Sequence, residues 1–151
     1  MLSSLCHDVN ALRGLLGEPT GVLGCEVWQQ GGCVSALFEY GHTLRVHYAF
    51  VYVPSLRDYR EELAFYGGGE RVRLVFPSPF LRNMPTELFH QANVAGAAAE
   101  TRLIVDYEEA FMEELRAFHA SVMGGDRPAT DVADSRGDLV VLTEMARLMS
   151  S

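Results

Sequence analysis

Long apolar runs are missing from this 151-residue sequence; none approaches the roughly 20 residues that a membrane-crossing helix needs. The start, Met1-Leu2-Ser3-Ser4-Leu5-Cys6-His7-Asp8, lacks both the basic stretch and the small-residue cleavage site of a secretory signal. Cysteine is scarce and odd in number. Cys6, Cys25 and Cys33 show no Cys-x-x-Cys spacing, so reduced thiols in a cytoplasmic setting are expected, not a disulfide framework. Basic charge is short too, with 12 Lys+Arg against 20 Asp+Glu and a formal charge of −8. The arginines are scattered, so nothing favours nucleic acid or an anionic membrane as partner. No Gly-x-Gly-x-x-Gly occurs. Gly67-Gly68-Gly69 lies between two strand-like runs, whereas a dinucleotide loop must open a helix. A metal site is not expected either, because His42 and His47, five apart on a strand, point to opposite faces.

What is present is an ordinary apolar fraction of 48%, enough for one domain spanning residues 1–151 with a real core. Leu5, Val9, Leu12 and Leu16 stand at helical spacing, and Gly17-Glu18-Pro19 stops that helix. From Val22 the period becomes two. Val22–Gln29 and Cys33–Tyr40 flank the turn Gln30-Gly31-Gly32, and His42–Val53 follows with Leu44, Val46, Tyr48, Phe50 and Tyr52 on one face. After a loop from Pro54 to Tyr59, Glu61–Tyr66 and Arg71–Phe76 form a second hairpin. Thr86–Asn93 then pairs with Glu100–Val105 across the small residues Ala95–Ala99. The last third is helical: Phe111, Leu115, Phe118 and Val122 make a stripe behind Glu108, Glu109, Glu113 and Glu114. Gly124-Gly125 ends it. Asp131 caps a final helix carrying Leu139, Leu142, Met145, Ala146 and Met149. The order predicts an α+β fold, a predominantly antiparallel open sheet of about six strands with helices packed on one face. The uncovered face is a candidate protein–protein interface, and a homodimer or higher oligomer is expected through it.

Three strings carry a resemblance. His7-Asp8-Val9-Asn10-Ala11-Leu12-Arg13-Gly14-Leu15-Leu16-Gly17-Glu18-Pro19 resembles a helix of the Gfo/Idh/MocA dehydrogenases, which include glucose–fructose oxidoreductase and inositol dehydrogenase. Tyr107–Phe118 is similar to that family's penultimate helix, and Arg127–Leu139 to its closing Arg-Pro-x-Thr segment. The resemblance implies the carboxy-terminal, substrate-side half of a two-part enzyme whose missing Rossmann half binds NAD(P). No cofactor is then expected on this chain alone. His7 falls at the family's acid/base position and is expected to be idle here. Ser3 stands where an Asp is usual, and Asn10 where a second acid is usual. Asn10, and Arg82 in the Pro-punctuated stretch Phe76–Pro85, are candidate contacts for a sugar or polyol ligand. The implied function is an orphan half that is not catalytic alone and self-associates through its sheet. The alternative is a sugar or polyol dehydrogenase whose Rossmann half is encoded upstream or in trans. Cys6 beside His7 is better explained by packing than by nucleophilic chemistry, since adjacent helical positions point about 100° apart.

Overall fold

In the computed structural model the described residues are 2–56, 59–104, 107, 109–125 and 127–149. They form helix α1 (Leu2–Leu16), strands β1 (Gly21–Trp28), β2 (Cys33–Tyr40), β3 (Leu44–Val51), β4 (Glu61–Gly67), β5 (Glu70–Phe76), β6 (Glu87–Val94) and β7 (Ala97–Ile104), then helices α2 (Ala110–Gly124) and α3 (Val132–Met149). This is an α+β fold with open antiparallel sheets. The strands number seven and hydrogen-bond in two sets, β1-β2-β3 and β4-β5-β6-β7. Two compact units result, one of residues 1–55 with 129–151 and one of residues 56–128.

The first unit owns the core. The β2 side chains Val34, Ala36 and Phe38 alternate onto one face, and Leu5, Val9 and Leu12 of α1 with Val141, Leu142 and Met145 of α3 are buried with them. Phe38 is 1% exposed. Its ring meets Tyr48 of β3 at a centroid distance of 6.3 Å, so the aromatic face read from the period-two pattern of β3 is the face turned inward. The β1–β2 connection is a short 3-10 turn, Gln29–Gly31, in which Gln29, Gln30 and Gly31 all adopt positive φ. The stripe predicted for the last helix is rotated: Leu139 is exposed, and Val141 takes the inward place beside Leu142 and Met145. The four-residue step from Val141 to Met145 sets that face. Asp131 does cap α3, its Oδ1 accepting the Asp134 backbone N–H at 2.8 Å.

The second unit is a meander. β4 and β5 turn at Gly68-Gly69, both at positive φ. β6 and β7 turn at Ala95-Gly96 alone, while Ala97, Ala98 and Ala99 join the ladder, so the turn is tighter than the small-residue run implies. Val105 and Glu108, like the loop residues Arg57 and Asp58, lie outside the described residues. Register assigns the two faces of this sheet. One carries Leu63, Phe65, Val72, Leu74, Leu88 and Leu103; the other carries Glu62, Tyr66, Arg71, Arg73, Glu87, Phe89 and Arg102. The polar face is laced by the ion pairs Arg102–Glu87 and Arg73–Glu62 and by Arg73 stacked 4.4 Å from the Phe89 ring centroid. Among the described residues of this unit, none is fully buried.

Candidate functional site

The site begins on α1. Its apolar residues Leu5, Val9 and Leu12 face the core, which turns His7 outward into solvent and leaves Asp8 and Asn10 half-buried at the edge. The Tyr48 hydroxyl donates to Asp8 Oδ2 at 2.6 Å, tying α1 to β3.

One turn beyond His7 lies a polar cluster that joins α1 to α3. The Arg13 guanidinium, with only 7% of its side chain accessible, meets Asp138 at 2.5 Å, Asp134 at 3.1 Å and Glu18 at 2.5 Å. Asn10 Nδ2 donates to Asp134 Oδ2 at 3.0 Å and to Asp138 Oδ2 at 3.1 Å. The Thr130 hydroxyl reaches Asn10 Oδ1 at 3.4 Å. Asp138 is buried, and a buried carboxylate persists only when paired and hydrogen-bonded, as here. The bond to Glu18 raises the Arg13 pKa further above its ordinary value, with Asp138 adding to it against the opposing effect of burial. Donation from Arg13 in turn lowers the Glu18 carboxyl.

Gly137 explains why the guanidinium fits. A methyl group there would land on Arg13, so the absent side chain makes the seat. The displaced group would be the flexible end of an arginine, yet three carboxylates hold it in place. Helix α3 therefore carries a mid-helix glycine despite its cost in helix propensity. Arg13, Asp138, Gly137 and the Tyr48–Asp8 bond went unassigned in the sequence reading. The sole signals were a glycine inside a helical pattern and two acids four residues apart on the same helix.

Asn10 joins Arg13 in the cluster, and its Oδ1 is the atom with the lightest engagement. Arg82 belongs to the second unit, on an exposed turn closed by the Leu81 backbone N–H to the Ser78 carbonyl at 3.0 Å. Asn83 beside it has φ 56°. None of the three cysteines is in a disulfide, and burial raises the Cys25 thiol, which makes it a poor nucleophile. In the second unit an open hollow of about 500 Å³ lies beside the β4–β5 and β6–β7 turns, lined by Tyr66, Glu70, Arg71, Gln91, Asn93 and Glu100. Among the described residues no three His, Cys, Asp or Glu side chains gather as a metal site. No described helix is long and apolar enough to cross a membrane.

Among the described residues the triple glycine does not open a helix, as a dinucleotide loop must. The triple glycine is a β4–β5 turn. The approaches to α2 and α3 carry Glu109 and Asp131, carboxylates that would repel a pyrophosphate.

The sequence matches no family model and no curated protein. Solved structures do match. YPO2259 of Yersinia pestis, a proposed oxidoreductase, superposes with a TM-score of 0.73 at 10% identity over 98% of this chain and 47% of that one. YvaA of Bacillus subtilis, also a proposed oxidoreductase, gives a TM-score of 0.72 at 10% identity, with 96% and 48% covered. KijD10, a 3-ketoreductase of Actinomadura kijaniata solved with NADP, gives 0.72 at 15% identity, with 95% and 45% covered. The chain thus has the fold of about half of each of these proteins and spans less than half of their length.

Proposed function

We propose that this chain is the substrate-side half of a Gfo/Idh/MocA-type oxidoreductase, not catalytic by itself, and that it works as a self-associating cytoplasmic unit. The observation that carries the reading is the match of nearly the whole chain to about half of several oxidoreductases. The three sequence strings that resemble the family support it. The polar cluster gives two of those strings a physical purpose, since Asn10 and Arg13 from the first meet Asp134 and Asp138 from the third.

Self-association is assigned to the apolar face of β4–β7. Leu63, Phe65, Val72, Leu74, Leu88 and Leu103 share that face with Thr101 and the His90–Glu70 pair, and none of the six is fully buried, so a second sheet laid on it removes apolar area from water. His7 occupies the acid/base position and Asn10 and Arg82 are the candidate contacts for a sugar or polyol hydroxyl. Hydride chemistry belongs to whatever supplies the nicotinamide.

Titrating the purified chain into NADH and following nicotinamide fluorescence tests the first claim; no change is expected, and saturable tight binding would overturn it. Sedimentation of the wild type against Leu103→Lys tests the second. The variant is expected to lose the sheet-mediated contact, and an unchanged assembly would remove the sheet from the proposal.

The second reading, a dehydrogenase completed by a nucleotide-binding half, is favoured by KijD10, whose solved form holds NADP and is more than twice this chain's matched length. Reading the DNA immediately upstream tests it. An in-frame glycine-rich strand–loop–helix followed by Glu-Lys-Pro is expected under this reading, and a stop codon with no such partner gene nearby would sink it.

A further inference from the structure

The second unit leaves another apolar surface besides its sheet. Helix α2 carries Phe111, Leu115, Phe118 and Val122 at steps of four, three and four residues, the d-a-d-a seam of a heptad pattern. The seam is open to solvent: Leu115 is 63% exposed, Phe118 68% and Val122 63%. Phe80, from the Pro-punctuated turn, extends it by meeting Phe111 at a centroid distance of 5.6 Å. A 15-residue helix is marginal in water without a packed face, so this seam calls for a partner.

Charge along the helix selects the direction of such a pairing. Glu109, Glu113 and Glu114 crowd the first half, where Arg116 pairs with Glu113, whereas residues 118–124 carry His119 and no acid. Two copies side by side in parallel would press the acidic halves together. Antiparallel, each acidic half lies along the other's acid-free half and the helix dipoles oppose. We infer that α2 pairs antiparallel with α2 of a second copy, Leu115 of one packing on Phe118 of the other and Phe111 on Val122. The four seam residues and Phe80 from both copies, at roughly 100 Å² each, remove about 1,000 Å² from water, the lower end of a specific interface. The pairing uses a surface separate from the sheet face and stands independently of it. Both contacts together give an assembly larger than a dimer.

The test is sedimentation and light scattering on the full chain. Phe118→Glu is expected to weaken the α2 contact at least tenfold and leave only the sheet-mediated species, with the cooperative urea unfolding of the first unit unchanged because the position lies outside that core. Ala120→Glu, the same charge on the opposite helix face, is expected to change nothing. If Phe118→Glu assembles like the wild type, the inference is overturned. Leu103→Lys keeps the two claims apart, since its failure to alter assembly counts against the sheet and not against α2.

Direction has its own readout. Antiparallel flanks bring Glu114 near Ser121 of the other copy, so Ser121→Lys should tighten association about two- to fivefold at low salt. In a parallel pair Glu114 would face His119 instead. Tightening by His119→Lys, with none from Ser121→Lys, would overturn the antiparallel arrangement.

Discussion

The two units of this chain are built from the same local parts and differ in what they bury. Both have hydrogen-bonded antiparallel strands with tight turns and apolar alternation. In the first, α1 and α3 close over β2, and every fully buried described residue of the chain lies there. In the second, the apolar residues of β4–β7 are only part-buried and the α2 seam is exposed. Backbone pairing alone does not stabilise a sheet, because folding exchanges hydrogen bonds with water nearly evenly, whereas apolar burial is the dominant favourable contribution. The first unit buries a core of its own; among the described residues the second has none fully buried.

The largest effect that sharpens this contrast is expected from the core. Phe38→Ala should cost about 3–5 kcal/mol in urea unfolding. Leu74→Ala, on the open sheet, should cost only about 1–2 kcal/mol in dilute chain, since half-burial leaves less to lose. Equal costs would break the comparison by showing that the sheet is covered in solution. A cost at Leu74 that rises with protein concentration would say that a second copy covers it.

Next comes the buried ion cluster. Asp138→Ala leaves the Arg13 guanidinium without its closest buried partner and should cost about 3–5 kcal/mol, with Asp138→Asn recovering part of the loss through its hydrogen bonds. Gly137→Ala should be destabilising by about 1–2 kcal/mol despite alanine's better helix propensity, because the methyl displaces Arg13 from its seat. A stabilising Gly137→Ala, measured by thermal unfolding, would show that the guanidinium moves aside freely.

The smallest effect is set by pH. Because the folded Glu18 carboxyl is lowered by Arg13, its contribution is present above the ordinary carboxylate range and is lost as pH falls through the folded value. The stability difference between wild type and Glu18→Gln should therefore be small, present near neutrality, and absent in acid. Its exposure to solvent keeps it small. A difference that grows on acidification would contradict the assigned sign.

Much of this was legible beforehand. The turns at Gly68-Gly69 and Gly31, the Asp131 cap and the α1 core stripe Leu5, Val9, Leu12 follow from local rules of period, capping and positive φ. The rotation of α3 was not, since Leu139 and Val141 both suit a helical stripe and only packing against the sheet chooses between them. The polar cluster was hidden for a similar reason. Arg13 and Asp138 stand 125 positions apart, and no local pattern distinguishes an arginine bound for burial from one on the surface.

By itself, then, the sequence determined the α+β class, the order of the elements and the resemblance carried by three strings, because these rest on contacts between near neighbours in the chain. Tertiary structure alone decided which unit acquired a core, that Gly137 makes room for Arg13, that His7 faces water, and that the apolar seam of α2 is exposed. Those outcomes depend on which distant surfaces meet, and burial is a property of the meeting, not of the residue.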